Sequence, residues 1–219
     1  MNNDESTKSP PQLLLALHSS TETFGVASVD FNDLKNTKRI ATFPIGRNLS
    51  NTIFTCIEEV LPATSWKNLR RLAVATGPGG FTGTRISVVI ARTLSEQLNC
   101  HLDGISSFEL MASRMINSLK VSEQTKPFWI IKDVQRRGTI GGQYQKSEST
   151  SKLTIKELKS PHLIKEELKD CSVLIASEGV ESDTNKLIKI CENRHLKNHQ
   201  SKWEEILPIY PTSPIDNFE

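Results

Sequence analysis

The chain has 219 residues, with 27 Lys plus Arg against 25 Asp plus Glu and an apolar share of 37%. A formal balance of +2 excludes an electrostatic nucleic-acid binder, which needs a concentrated basic face, and no apolar run approaches the ~20 residues of a membrane span. Domains run to about 100–200 residues, so one large or two small ones are expected. The polar, acid-containing start has the marks of neither a signal nor a transit peptide, so a cytoplasmic protein with no membrane partner is expected. The cysteines at 56, 100, 171 and 191 never fall at C-x-x-C spacing, which predicts free thiols rather than a zinc clamp or disulfides.

Along the chain, Leu13 to Leu17 is a continuous apolar run ending in His18-Ser19-Ser20, the pattern of a buried central strand. Phe24 to Asp30 and Lys38 to Phe43 read as two further strands of an antiparallel meander. The period then changes: Leu49, Ile53, Ile57, Val60 and Leu61 recur at helical spacing, and Pro62 ends that helix. Leu72 to Thr76 is a short buried strand, followed by a glycine turn and a helix over about Thr84 to Leu98. His101 to Ile105 reads as a strand, and Ser106-Ser107-Phe108-Glu109 is a capping box that predicts a helix to about Leu119. A meander extended by parallel strands with crossover helices is ribonuclease-H-like.

After a break near residues 120–127, strands are expected at Phe128–Lys132, Thr139–Gln145 and Lys152–Leu158, with a Ser/Thr-rich patch at 147–151. A helix capped by Ser160 with Pro161 in its first turn should follow. Ser172–Ser177 reads as a strand stopped by Gly179, Asp183 opens a helix to about His199, and Ile206–Tyr210 closes the chain as a strand. The predicted layout is a loose tail at 1–12, a first lobe at 13–122, a smaller second lobe at 123–210 and a loose tail at 211–219. Glu58-Glu59 and Glu166-Glu167 read as solvated helix faces. His195 and His199 have metal-ligand spacing, but Arg194 and Lys197 beside them favour a helix end that complements the dipole. Lys67-Arg70-Arg71 and Lys132-Arg136-Arg137 read as solvated edges, with contact to RNA phosphates as the lesser alternative.

The most informative stretch is Gly77-Pro78-Gly79-Gly80-Phe81-Thr82-Gly83-Thr84-Arg85. It lies between a strand and a helix, where backbone N–H groups can cradle an anion, yet it is neither a Walker loop nor G-x-G-x-x-G. The nine residues resemble the G-P-G-S-F-T-G-x-R signature of the TsaB (YeaZ) family, with Gly80 in the serine place. Leu14-Ala16-Leu17-His18-Ser19-Ser20-Thr21-Glu22 resembles the family's opening L-A-[IL]-D-T-[AS]-T-E, and Gly104-Ile105-Ser106-Ser107 its G-V-S-[ST]. Asp133, Arg136 and Tyr144 fit its D-A-R-R-G-x-V-Y-x-x-x-Y segment, and Ile206 to Tyr210 its closing L-P-x-Y.

The resemblance implies an α/β protein of the actin-like ATPase fold, with two ribonuclease-H-like lobes of mixed sheet flanked by helices. It implies a non-catalytic partner of a TsaD-like catalytic subunit in threonylcarbamoylation of the adenosine beside the tRNA anticodon. A TsaE-like ATPase is a further candidate partner, tRNA is reached through the complex, and a homodimer is expected in isolation. The competing reading is a small nucleotide-binding ATPase or kinase of the same fold. Against it, His18 stands where the family and its ATPase relatives carry aspartate, and imidazole substitutes poorly for a carboxylate on magnesium; Gln135 and Ile140 depart from the motif as well. No catalytic residue, metal or cofactor is therefore expected, weak nucleotide binding at Gly77, Gly79, Gly80, Thr82, Gly83 and Arg85 being the one allowance. On the helix at Thr84–Leu98, Ile86, Ile90, Leu94 and Leu98 should cover the sheet. The small line Ser87, Ala91 and Ser95, with Val88, should meet a partner, alongside Ile53, Phe54 and Ile57 of the preceding helix. TsaB proteins are thought to pair with TsaD through these two helices.

Overall fold

The computed structural model describes residues 9–135, 137–147, 154–165 and 167–211. Residues 1–8 of the expected tail, Arg136, the patch from 148 with the strand start at Lys152, Glu166, and the tail from 212 lie outside the described residues.

Strand β1 (Leu13–His18) has all six residues buried, which requires cover on both faces. Its neighbours are β2 (Phe24–Asp30), antiparallel, and β4 (Leu69–Ala75), parallel. With β3 (Arg39–Phe43) and β5 (His101–Ile105), the sheet order is β3-β2-β1-β4-β5. The alternation of β1 divides two cores. Leu13, Leu15 and Leu17 pack beneath α1 (Leu49–Val60) and α2 (Phe81–Leu98). Leu14 and Ala16 join Ala27, Ala73 and Ala75 on the opposite face, under Leu187, Ile188 and Cys191.

Helix α2 lies the other way round from expectation. Ser87, Val88, Ala91 and Ser95 are buried against the chain's own sheet, while Ile86, Ile90, Leu94 and Leu98 are half-buried at its flanks. Small residues at spacing four let a helix approach a sheet as readily as another helix, and here the sheet takes them. Ile53 and Ile57 are equally enclosed, so of the seven expected interface residues Phe54 alone is exposed, at 49%.

Helix α3 (Ser107–Met115) begins where the capping signal lies, with the Ser106 hydroxyl accepting from Phe108 N at 3.2 Å. It ends early, in a 3-10 turn at Ile116–Ser118. Its Phe108, Met111 and Ala112 pack on a second sheet of order β8-β7-β6-β9, against Phe128, Ile130, Ile140 and Tyr144. That sheet comprises β6 (Phe128–Val134), β7 (Gly138–Lys146), β8 (Ile155–Leu163) and β9 (Ser172–Ile175).

The helix expected at Ser160–Pro161 is replaced by the continuation of β8. This is an edge strand, and its pairing with β7 shifts between Gly141–His162 and Gln143–Lys159, so Ser160 and Pro161 together oppose Gly142. A proline that cannot donate to the ladder is accommodated at such a bulge. Helix α4 (Val180–Leu196) starts three residues before Asp183, and it covers the alanine-lined face of the first sheet rather than the second. The expected second lobe, 123–210, thus contributes its last helix to the first. The reason is local: a Cβ at Gly25 would overlap Thr184 Oγ1 and lie 2.8 Å from Val180 Cγ1, so the bare β2 backbone is what admits α4.

Ile206–Tyr210 does not form the expected strand. It follows a 3-10 turn at Trp203–Glu205 and is held by Ile209 N donating to Thr76 O at 2.8 Å, and Pro208 has no N–H with which to extend a ladder. All four cysteines are free.

Candidate functional site

The glycine loop joins three turns of chain. Ser107 N donates to Gly77 O at 2.7 Å, Gly80 N donates to Ser20 O at 3.0 Å, and the Ser19 hydroxyl donates to Gly83 O at 2.9 Å. Each glycine has a separate physical cause. Gly77 has φ +92°, in the left-handed region. A Cβ at Gly79 would overlap the Ser20 carbonyl oxygen and sit 2.5 Å from Ser20 Cα, and one at Gly83 would lie 2.8 Å from Ser19 O. Gly80 has open space around it. Most of the expected anion loop is therefore a backbone joint between the β1–β2 turn and the start of α2.

What remains available is the α2 N-terminus itself. Gly80 caps it without a side chain, leaving first-turn N–H groups with no intrahelical partner. Thr82 and Arg85 are exposed, and the Arg85 guanidinium lies over the Phe81 ring at 4.6 Å and the Tyr210 ring at 5.6 Å. Two cavities open here. One of about 540 Å³ runs from Ser20 to Arg47 and reaches Lys132 and Glu178; another of about 300 Å³ lies between Gly80, Thr84, Lys132, Arg137 and Tyr210.

His18, at the end of β1, faces neither cavity. It is fully buried, and among the described residues neither ring nitrogen has a hydrogen-bond partner. Burial pushes its pKa down to about 4, so it is neutral near pH 7 and cannot act there as a cationic clamp. Nearby, the Arg114 guanidinium bridges α3 to α4: Nε donates to Asp183 Oδ1 at 2.8 Å, and Nη1 donates to the Ser177 hydroxyl at 3.0 Å. Among the described residues no group of three His, Cys, Asp or Glu side chains is gathered as a metal site. His195 is stacked on Phe31 at 3.6 Å, and the His199 carbonyl accepts from Arg71.

Sequence reasoning missed the buried charges. Arg71, placed with the solvated cations, is 1% exposed and donates to Asp103 Oδ2 at 2.7 Å; Arg194 reaches Oδ1 at 3.0 Å. Burial opposes the charge on Asp103, yet the two guanidiniums hold its carboxyl below the usual range. The available signal was Asp103 itself, a charge inside an apolar strand. Glu109 was read only as a cap residue, but burial, with the Glu157 carboxylate adding to it, pushes its pKa up to about 7.

Two layered lobes, each built on a three-stranded antiparallel unit extended by parallel strands, β4 and β5 in the first and β9 in the second, define a two-lobed α/β protein of the actin-like, ribonuclease-H-like class. Known proteins give the same fold. YeaZ from Pseudomonas aeruginosa superposes with a TM-score of 0.64 at 15% identity, over 91% of this chain and 99% of that one. A family model described as TsaD, tRNA N6-adenosine threonylcarbamoyltransferase, matches residues 44–158, over half of the chain. The chain belongs to this TsaD-related family, on its TsaB (YeaZ) branch. The tRNA threonylcarbamoyladenosine biosynthesis protein TsaB of Bacillus subtilis is 29% identical over 108 residues, 46% of this chain and 43% of that protein. The uncharacterized protein MG208 homolog of Mycoplasma pneumoniae is 35% identical over 72 residues, 32% of this chain and 37% of that protein. The chain thus spans about two fifths of the length of these curated relatives. No helix among the described residues is long and apolar enough to cross a membrane.

Proposed function

We propose that this protein is a non-catalytic, TsaB-like subunit that binds and supports a TsaD-like catalytic subunit in threonylcarbamoylation of the adenosine beside the tRNA anticodon. The observation that carries the reading is the TsaD-family match over residues 44–158 on a chain whose buried His18 is neutral and unpartnered. A magnesium-dependent transfer needs hard oxygen ligands on the ion, and the end of β1 supplies an imidazole.

The partner surface in this reading is the outward side of α1 and α2. Phe54 and Val89 are exposed there, at 49% and 57%, with Ile86 and Ile90 half-buried beside them. Exposed apolar groups of this size on a helix layer are ordinary at a docking face. The same side would serve a homodimer in isolation.

Co-expression with the organism's TsaD tests the reading. The tagged chain should retain TsaD on an affinity column, and Phe54→Asp should lower the retained fraction at least tenfold while leaving the melting temperature within about 2 °C, since surface changes stay near ±0.5 kcal/mol. Wild-type chain that retains no TsaD would refute it.

A further inference from the structure

The formal balance of +2 is not spread evenly over the folded surface. Helix α4 buries Leu187, Ile188 and Cys191 on the first sheet. On a 3.6-residue helix the opposite stripe is Ser182, Lys186, Lys189 and Asn193, with Lys197 following at the C-cap. None of the five is acidic. Lys189, Asn193 and Lys197 are exposed and Lys186 is half-buried. At 1.5 Å of rise per residue, the three lysines span about 16 Å of axis.

A helix face that serves only solubility mixes its signs. Here the carboxylates stand at the flanks, Glu192 acting on Lys38 and Glu109 on Lys186. Lys38, half-buried just before β3, adds a further cation beside the stripe. Burial lowers the pKa of both Lys38 and Lys186, and the charge of Lys189 lowers each further. Glu109 answers this only in part, since its own pKa is pushed up to about 7. Like charges crowded and partly desolvated in this way are relieved by a polyanion.

We infer that the outward face of α4, with Lys38 beside it, makes direct contact with the sugar–phosphate backbone of RNA. The choice of RNA over another polyanion rests on the tRNA-modification role proposed above. The face lies across the first sheet from α1 and α2, so RNA and a partner protein on those helices do not compete for one surface. A few lysines on a chain of even overall charge make a weak contact, steeply weakened by salt because each phosphate contact releases counterions.

Fluorescence anisotropy of labelled bulk tRNA with the full chain, at low and at physiological ionic strength, tests this. Micromolar binding at low salt is expected. The triple variant Lys186→Gln, Lys189→Gln, Lys197→Gln should bind at least tenfold more weakly, with the salt slope reduced by about one per lysine removed. Neutralising Lys120, Lys126 and Lys156 together, all exposed elsewhere, removes the same net charge and should change affinity less than twofold. Both variants should keep the wild-type melting curve. If the first triple variant does not fold, Lys189→Gln alone, at an exposed position, decides, with at least threefold weaker binding expected. No tRNA binding at low salt, full affinity in the α4 variants, or equal loss in the control variant would each overturn the proposal. Competition by polyglutamate as effective as that by unlabelled tRNA would also overturn it, marking the face as a site for an acidic protein. TsaD retention, measured on the same variants, should be unchanged, so failure of the RNA contact is told apart from failure of the supporting role.

Discussion

His18 carries a cost that appears only in acid. Both its ring nitrogens are buried without a partner among the described residues, and its pKa of about 4 lies below the ordinary 6.5 because burial disfavours the cation. The unfolded chain therefore takes up a proton before the folded one does. Between pH 6.5 and 4 it binds more protons, so stability is complete above pH 6.5 and falls as pH drops through that window. The loss from this residue should reach roughly 3 kcal/mol at the acid end. Urea unfolding at pH 7.5 and pH 5 should show the decline, and His18→Leu should flatten it; an unchanged pH slope in that variant would place the effect elsewhere. Asp103 presents the opposite situation, a buried charge with two partners. Asp103→Asn would leave Arg71 buried with its main counter-charge gone, a loss of about 3–5 kcal/mol. Arg70→Gln, on an exposed neighbour, should stay within about 0.5 kcal/mol. Thermal melts of the pair would separate them, and equal small losses would contradict the burial of Arg71.

At the scale of elements, the joint between the β1–β2 turn and α2 explains which glycines the loop needs. Gly79→Ala would press a methyl group into Ser20 backbone, whereas Gly80 has no heavy atom near the place a Cβ would occupy. Gly80→Ser also adds an N-cap hydroxyl to α2. It should therefore be neutral or stabilising by a few tenths of a kcal/mol, while Gly79→Ala should cost about 1–3 kcal/mol. Chemical denaturation of both variants checks this, and comparable losses would mean that the loop tolerates no side chain anywhere. Periodicity made most of the first lobe legible: β2 and β5 fall at their expected bounds, because a strand buried on both faces and its bounding turns are local signals. Orientation was not local. Ser87, Ala91 and Ser95 and the Ile86–Leu98 stripe both repeat at spacing four, and which of them faces the sheet depends on how closely α2 sits to β4. Likewise Ser160-Pro161 is a sound helix start in isolation, and the β8 bulge opposite Gly142 overrides it.

At the scale of the whole molecule, the two sheets are held together by helices that cross between chain halves. Helix α3 builds the core of the second sheet, α4 that of the first, and Arg114–Asp183 ties the two helices. No segment pattern announces such an exchange, since the apolar stripe of α4 reads the same whichever sheet it covers. The family motifs in the sequence fared differently, because Gly79 and Gly83 are required by backbone approach and Gly104 by the closing segment over it, where Ile206 Cγ2 would lie 2.8 Å from a Cβ. Of the candidate site, the anion loop was legible as residues but not as geometry: four glycines were visible, and the exposed helix start, Thr84 and the Arg137 hairpin were brought together only by folding. The proposed supporting role makes the protein necessary to its pathway while giving it no chemical step of its own. The most direct measurement is therefore nucleoside mass spectrometry of bulk tRNA from cells depleted of this protein. Threonylcarbamoyladenosine should fall several-fold and return on re-expression of the wild-type chain, whereas levels unchanged after complete depletion would contradict the proposed role.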